Sequence, residues 1–426
     1  MIPGHRTPRA RPTVGARPTV SGRASSRLAC RDVDHSPFGD DPTGGPLDGV
    51  LVADFSRVLA GPYATMMLAD LGATVIKVEG PGGDDTRTWK PPVVSDPEQG
   101  EISTYYLSIN RNKRSVVLDL TDPGDLAAAR ELARRADVVV ENFRPGGAAR
   151  FGLDHDSVAR DNPGVVYCSI TGFGAHGGAH LAGYDLLVQA VSGLMSLTGD
   201  ADGPPFRAGV AVFDVLTGLH AALAVSAALR HRERTGQGQL LETNLLSVAM
   251  STLVNQSEAY VAAGAFGRRM GNAHPSVFPY QPMPTADGDL IVIAGNDGQF
   301  RKLATVLGDP AMAQDPRFAT MSDRIGHREE IEQRLRARLA TRTAQEWYDA
   351  ITAADVPCGP INTVDGGVAL AEELGLDPVV RADDAAAIPT VRNPVGWSAT
   401  PPSYRRSPPP LGADSAEVRA WLDRDG

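Results

Sequence analysis

The apolar positions of this chain fall into short runs with two spacings. Val50-Leu51-Val52-Ala53 is a four-residue run of the buried-strand kind; a helical pattern from Tyr63 to Leu71 follows, then a second run, Thr74-Val75-Ile76-Lys77-Val78. Strand, helix and strand in that order predict a βαβ unit, and so a parallel sheet with helices on its faces. The rhythm continues with a strand at Ser115–Leu120, a helix at Asp125–Arg135, and strands at Asp137–Glu141 and Val165–Ile170. The expected fold class is α/β, with a doubly wound, Rossmann-like large domain.

Val215 to Arg230 is apolar on every side, which predicts a helix buried in a large core or a subunit interface. Beyond its basic end, Gly236 and Gly238 punctuate before a further strand and a second long helix, expected from Leu245 to Ala263 and stopped by Gly264. After Gly271 the texture changes. Phe278–Pro284, Ala286-Asp287-Gly288 and Leu290–Ala294 read as a hairpin, and charged helices follow at Glu329–Ala340 and Ala344–Ala354. The organisation predicted is a large domain over 46–270, a smaller α+β domain over 271–365, and a Pro-rich segment, 366–426, returning across the large domain. Neither period occurs at the start. Residues 1–47 hold seven Arg, no Lys and four Asp among Pro, Gly, Ser and Thr, so 1–45 is expected to be a disordered tail. It lacks the apolar stretch of a secretory signal.

Composition narrows the function classes. A length of 426 residues favours two domains. The formal charge of −10 argues against a general binder of nucleic acid or anionic membrane, so an anionic ligand must meet a local basic patch. No window approaches the roughly twenty uninterrupted apolar residues of a membrane span. Cys30, Cys168 and Cys358 lie far apart, without metal spacing, which fits a reduced, cytoplasmic protein with no metal site.

Gly172-Phe173-Gly174-Ala175-His176-Gly177 matches G-x-G-x-x-G after a strand. A dinucleotide site also needs a helix opening at the third glycine and an acidic residue about twenty positions on. Gly178-Ala179-His180-Leu181-Ala182-Gly183 is a poor helix start, and Asp200 sits in a loop pattern. The first crossing, Leu59-Ala60-Gly61-Pro62, carries a proline where a phosphate loop would use an N–H. His220 reads as a packed core histidine, His274 as a turn residue and Cys168 as a core filler.

Two features point to chemistry. One is basic: Lys77, Arg87, Asn110-Arg111-Asn112-Lys113-Arg114, Asn142-Phe143-Arg144-Pro145 and Arg150. Several follow strands, where the ligand crevice of an open α/β sheet lies, and such a cluster suits a polyphosphorylated ligand. The other is Asp214, which follows the run Val210-Ala211-Val212-Phe213 and opens the apolar helix. Read from the residues alone, it is first a helix cap. A carboxylate there can also be a nucleophile, because its ordinary pKa near 3.9 and the helix N-terminus both favour the ionised form.

The residues also resemble a family. Leu47-Asp48-Gly49-Val50, Arg57-Val58-Leu59-Ala60-Gly61-Pro62, Ile76-Lys77-Val78-Glu79, Gly83-Asp84-Asp85-Thr86-Arg87, Asn112-Lys113-Arg114-Ser115 and Val140-Glu141-Asn142-Phe143-Arg144-Pro145-Gly146 look like the class III CoA-transferases. So do Gly183-Tyr184-Asp185, Asp202-Gly203-Pro204-Pro205, Thr235-Gly236-Gln237-Gly238-Gln239 and Val356-Pro357-Cys358-Gly359-Pro360. The resemblance runs in order from about residue 46 to the end. It implies two chains threaded into an interlocked homodimer, with coenzyme A and acyl-CoA as substrates and no tightly bound cofactor, ATP or metal. It carries the catalytic aspartate to Asp214 rather than Asp185. Coenzyme A contacts carry over to Leu59, Ala60, Leu118, Asn142, Phe143, Arg144, Arg150, Tyr184 and Asp185, with Lys77 added from the basic group.

The sequence departs from the formyl-CoA branch of that family at Leu59, where the branch has Gln, and at Gly80, where it has Arg. The glycine-run loop of that branch is replaced by Asn272-Ala273-His274-Pro275-Ser276-Val277-Phe278-Pro279-Tyr280. This segment looks more like members that use succinyl-CoA or related dicarboxylic acids. The rival readings are an α-methylacyl-CoA racemase, which typically shows G-H-D where this chain has Gly183-Tyr184-Asp185, and a non-catalytic CoA-binding protein.

Overall fold

The short apolar runs assemble into one six-stranded sheet in a computed structural model that describes residue 38 and residues 43–96 and 100–425. The strands are β1 (Leu51–Asp54), β2 (Thr74–Glu79), β3 (Lys113–Val117), β4 (Val138–Glu141), β5 (Val166–Thr171) and β6 (Gln239–Asn244). Every pairing is parallel, and the spatial order is β3-β2-β1-β4-β5-β6. Val52 lies between Val75 and Val138, so the centre of the sheet is a row of β-branched side chains buried from both faces. That is why these strands read as unbroken apolar runs rather than alternating ones. The order reverses between β1 and β4, the switch point of a doubly wound sheet. Residues 1–37 and 39–42, most of the tail expected over 1–45 together with Cys30, lie outside the described residues.

Helix α1 (Ala60–Asp70) starts directly after β1, with Pro62 in its first turn, where a missing N–H costs no helical bond. Helix α2 (Pro123–Arg135) opens with Asp122 accepting from the Gly124 and Asp125 N–H groups and Pro123 as its first residue. Helix α3 (Asp185–Val191) precedes the long α4 (Val212–Thr235), which Gly236 ends at φ 75°. α4 packs against α1 closely at Gly218; a Cβ there would stand 2.6 Å from the Ala60 carbonyl oxygen. Among the described residues it is the one helix long and apolar enough to cross a membrane, yet its buried face packs on α1 and the sheet.

Two expectations change here. α4 is not buried all round within one chain: Leu219, His220 and Leu223 are exposed, Leu223 by 68%, so His220 is no core residue. The helix expected over 245–263 is two, α5 (Leu245–Thr252) and α6 (Asn255–Ala263), broken where Val254 takes φ 43°. Apolar spacing carries across such a break, so periodicity cannot show it.

Residues Tyr280–Pro284, Asp289–Ile293 and Cys358–Pro360 form a separate antiparallel three-stranded sheet. It packs with the helices Asp297–Val306, Arg328–Leu339 and Ala344–Ala353 around Phe278, Phe300, Phe318 and Trp347. The C-terminal segment then covers the edge strand β3. Asp414 and Ser415 accept from the Ser115 and Val117 N–H groups, which closes an edge otherwise open to pairing.

Candidate active site

A cleft opens beyond the C-terminal ends of β1, β4 and β5, at the switch point. Three loops form its walls: Arg57–Ala60 after β1, Asn142–Pro145 after β4, and Ile170–Gly172 with Leu181–Tyr184 after β5. Asp214, from the first turn of α4, reaches the same cleft, together with Asp85 and Leu245. The first two walls are latched together. The Asn142 side-chain oxygen accepts from the Arg57 N–H at 2.9 Å, and its nitrogen donates to the Arg57 carbonyl at 2.8 Å. Val58, next in sequence, sits at φ 69°, a costly conformation for a β-branched residue, with its N–H directed at the buried Asp84 carboxylate. The Glu141 carboxylate accepts from the Phe143 N–H at 2.7 Å and steadies the second loop; burial raises its pKa.

Asp214 is placed differently from a cap. The residue before α4 is Ala211, and the Asp214 carboxylate makes no cap bond. The cap comes from another helix: one oxygen of the Asp185 carboxylate accepts from the Phe213 N–H at 2.8 Å and the Asp214 N–H at 3.2 Å. Asp185 is buried, 7% exposed, and satisfies the helix start that Asp214 was expected to satisfy. Asp214 is therefore free to face the cleft, and among the described residues its carboxylate accepts no hydrogen bond. Nor does the helix start hold it at an ordinary acidity. Burial, and next the charge of Asp185, push its pKa up to about 7.

The sequence-derived candidates divide. Leu59, Ala60, Asn142, Phe143, Arg144 and Tyr184 line the cleft with Asp214. Asp185 lies behind it. Arg150 is exposed on the short helix Gly147–Arg150 that continues the second wall, and does not itself line the cleft. Lys77 and Leu118 are corrections. The Lys77 ammonium is wholly buried, donating to Asp84 at 2.8 Å and to the Ser56 carbonyl at 3.0 Å, and cannot reach a ligand. The Leu118 side chain is buried in the core between the sheet and α2.

Most of the basic group is a structural belt. Arg87 forks onto Glu79, Arg111 forks onto Asp70, Lys113 meets Asp54, and Arg114 meets Asp414 and Glu417. Burial lowers the Lys113 pKa to about 8, with Asp54 opposing that fall. Sequence reading missed other residues of the site. Arg57 lines the cleft and stood in a quoted motif without a role. Tyr105, on the helix Thr104–Leu107, is held up at about 12 by burial and by the charges of Asp214 and Asp185. Gln189 bonds Asp185. Neither Tyr105 nor Gln189 belongs to a local motif, so only the fold brings them in. The G-x-G-x-x-G stretch is a loop: the next helix begins only at Asp185, and Gly172 and Gly183 touch so closely that a Cβ on either would clash.

This arrangement has counterparts. The sequence profile of CoA-transferase family III matches residues 47–415. A succinate–glutarate CoA-transferase of Agrobacterium fabrum is 46% identical over 390 residues, which span 89% of this chain and 96% of that relative. The succinyl-CoA:glutarate CoA-transferase of Homo sapiens is 40% identical over 377 residues, 88% of this chain and 85% of that relative. A crystal structure of a CAIB/BAIF family protein from Brucella suis superposes with a TM-score of 0.81 at 40% identity, covering 90% of this chain and 100% of that one.

Proposed function

The chain belongs to CoA-transferase family III and is a CoA-transferase, and we propose that it moves CoA from succinyl-CoA, or another dicarboxylyl-CoA, to a dicarboxylic acid acceptor through Asp214. The observation that carries the role of Asp214 is its position: a carboxylate that accepts no hydrogen bond among the described residues, facing a cleft at the switch point. The relatives named for succinate and glutarate support that substrate class.

The chemistry is covalent. The Asp214 carboxylate attacks the donor thioester carbonyl, forming a mixed anhydride and releasing CoA thiolate. The thiolate attacks the Asp214 carbonyl; the donor acid leaves as carboxylate and Asp214 becomes a CoA thioester. The acceptor carboxylate attacks that thioester, again forming an anhydride and freeing the thiolate. Attack of the thiolate on the acceptor's carbonyl gives the new acyl-CoA and regenerates Asp214. With a pKa about 7, Asp214 is a better nucleophile than an ordinary aspartate yet substantially ionised at neutral pH.

The second wall suits the phosphates and adenosine of CoA: Arg144 and Arg150 are exposed cations without an ion-pair partner among the described residues, and Phe143 offers an apolar face. Leu59, Ala60 and Tyr184 would flank the pantetheine arm. Asn142 then serves mainly by latching two walls.

An interlocked homodimer fits the exposed apolar residues Leu223 on α4, Val254, Tyr260 and Val261 around α6, and Phe266, which a second copy would cover; a cytoplasmic location goes with the widely spaced cysteines. The division into 46–270, 271–365 and 366–426 goes with that assembly. The experiment is a screen of succinyl-CoA and acetyl-CoA against mono- and dicarboxylic acids, read by mass spectrometry. Succinyl-CoA with glutarate is expected to react fastest; turnover confined to acetyl-CoA and monocarboxylates would overturn the substrate class. Deuterium uptake at the α-carbon of a 2-methylacyl-CoA without acceptor would favour a racemase instead.

A further inference from the structure

Gln189 lies one turn after Asp185 on α3 and is wholly buried. Its side-chain nitrogen donates to the Asp185 carboxylate at 2.5 Å and to the Val210 carbonyl at 3.2 Å. Its side-chain oxygen accepts from the Ala208 N–H at 2.8 Å. Asp185 in turn holds the first N–H groups of α4 through its other oxygen. One amide thus ties the capping carboxylate to the turn that enters the helix carrying Asp214.

We infer that Gln189 is a positioning residue for CoA transfer, locking Asp185 and the 208–210 turn onto the start of α4 so that the Asp214 carboxylate keeps its aim into the cleft. The inference rests on Asp214 as the nucleophile. The site requires an amide. A donor must face a carboxylate while an acceptor meets an N–H, and only Gln or a protonated Glu supplies both at this length. A leucine would take the donor away from the buried Asp185 carboxylate and the acceptor away from the half-buried Ala208 N–H. An ionised glutamate would set two carboxylates against each other. A shift of about 1 Å at a reacting group costs on the order of 100-fold in rate.

The charged and titratable groups around Asp185 and Asp214 are Tyr184 beside the cap, Tyr105 of the helix Thr104–Leu107, and Arg57, Asp85 and Arg144 across the cleft. Arg207, in the entering turn, is directed at the Ala208 carbonyl. All remain in place in the variants below, so a changed pH profile reports residue 189.

The test is kcat against pH for wild type, Gln189→Leu and Gln189→Glu, with succinyl-CoA and glutarate. Wild-type kcat should rise with pH to a plateau. Gln189→Glu should stay within about threefold of wild type at the acid end of the profile, where a protonated glutamate can donate as the amide does, and then turn over as pH rises and the glutamate loses that proton. Gln189→Leu should lose about 10- to 100-fold in kcat at every pH, with KM for succinyl-CoA within about twofold. A purely structural amide would change thermal stability and leave the shape of the profile alone. A Gln189→Glu profile that keeps the wild-type plateau overturns the inference, even if Gln189→Leu does not fold; so does a folded Gln189→Leu with wild-type kcat. Failure of the nucleophile reading is distinct, because it shows as turnover retained by Asp214→Asn.

Discussion

The charges beneath the sheet ends and the charges in the cleft are built from the same residue types and have opposite fates. In the belt, Lys77, Arg87, Arg111, Lys113 and Arg114 each meet a carboxylate, and nearly all of these groups are buried. In the cleft, Arg144 and Asp214 have no such partner among the described residues. Matching charge lets an ion be buried without uncompensated desolvation, so the belt holds the loops of β1, β2 and β3 in place. Arg144 stays exposed to solvent, and burial beside the Asp185 charge leaves Asp214 raised in pKa, as suits the proposed nucleophile. Basic residues after strands are therefore not a ligand site by themselves. In the proposed reading, the unpaired ones in the cleft are.

Four substitutions sharpen that contrast, in falling order of effect. Asp214→Asn should reduce turnover by at least about 10⁴-fold with little loss of fold, because it removes the nucleophile; steady-state rates beside circular dichroism check both halves. Lys113→Met, in the belt, should instead cost about 3–5 kcal/mol of stability by stranding Asp54, and denaturant unfolding measures it. Lys77→Met should behave alike, with KM for acyl-CoA in the folded fraction unchanged. Arg144→Ala should raise KM for acyl-CoA by about 10- to 100-fold, the worth of a charge-assisted bond to phosphate, and leave Tm within a few degrees.

Asp185→Asn gives the clearest sign, read in the position of the pH limb; kcat falls too, because the new amide sets a donor against the Gln189 nitrogen or the α4 N–H groups. As the proposed nucleophile, Asp214 must be ionised to attack, and burial with the Asp185 charge holds its pKa at about 7. Activity of the wild type should thus rise as pH climbs through about 7. Removing the neighbouring negative charge eases ionisation, so the rising limb of kcat against pH should move to lower pH. A limb that stays in place would remove Asp185 as a cause.

The centre of the sheet was legible because β1, β2, β4 and β5 are buried, and continuous apolar runs such as Val138–Glu141 have few other uses. The 278–294 hairpin was legible from its turn residues. α5 and α6 merged in the reading because apolar spacing is blind to one residue at φ 43°. For the site, family resemblance reached Asp214 and the Asn142–Arg144 loop. It could not tell that Lys77 is sealed under Asp84, because a lysine at a strand end has the same letters whether its partner is buried or absent. Nor could local sequence show that Asp185, almost thirty residues upstream, supplies the cap that Asp214 was expected to supply.

The most direct test of the account is to find where CoA becomes attached. The protein is incubated with succinyl-CoA without acceptor, quenched, digested and mapped by mass spectrometry, with borohydride reduction of a parallel sample. The account predicts a CoA thioester on the peptide containing Asp214, converted by borohydride to the corresponding alcohol at residue 214 and absent from Asp214→Asn. A CoA adduct on another residue, or full turnover in Asp214→Asn with no adduct at all, would contradict it.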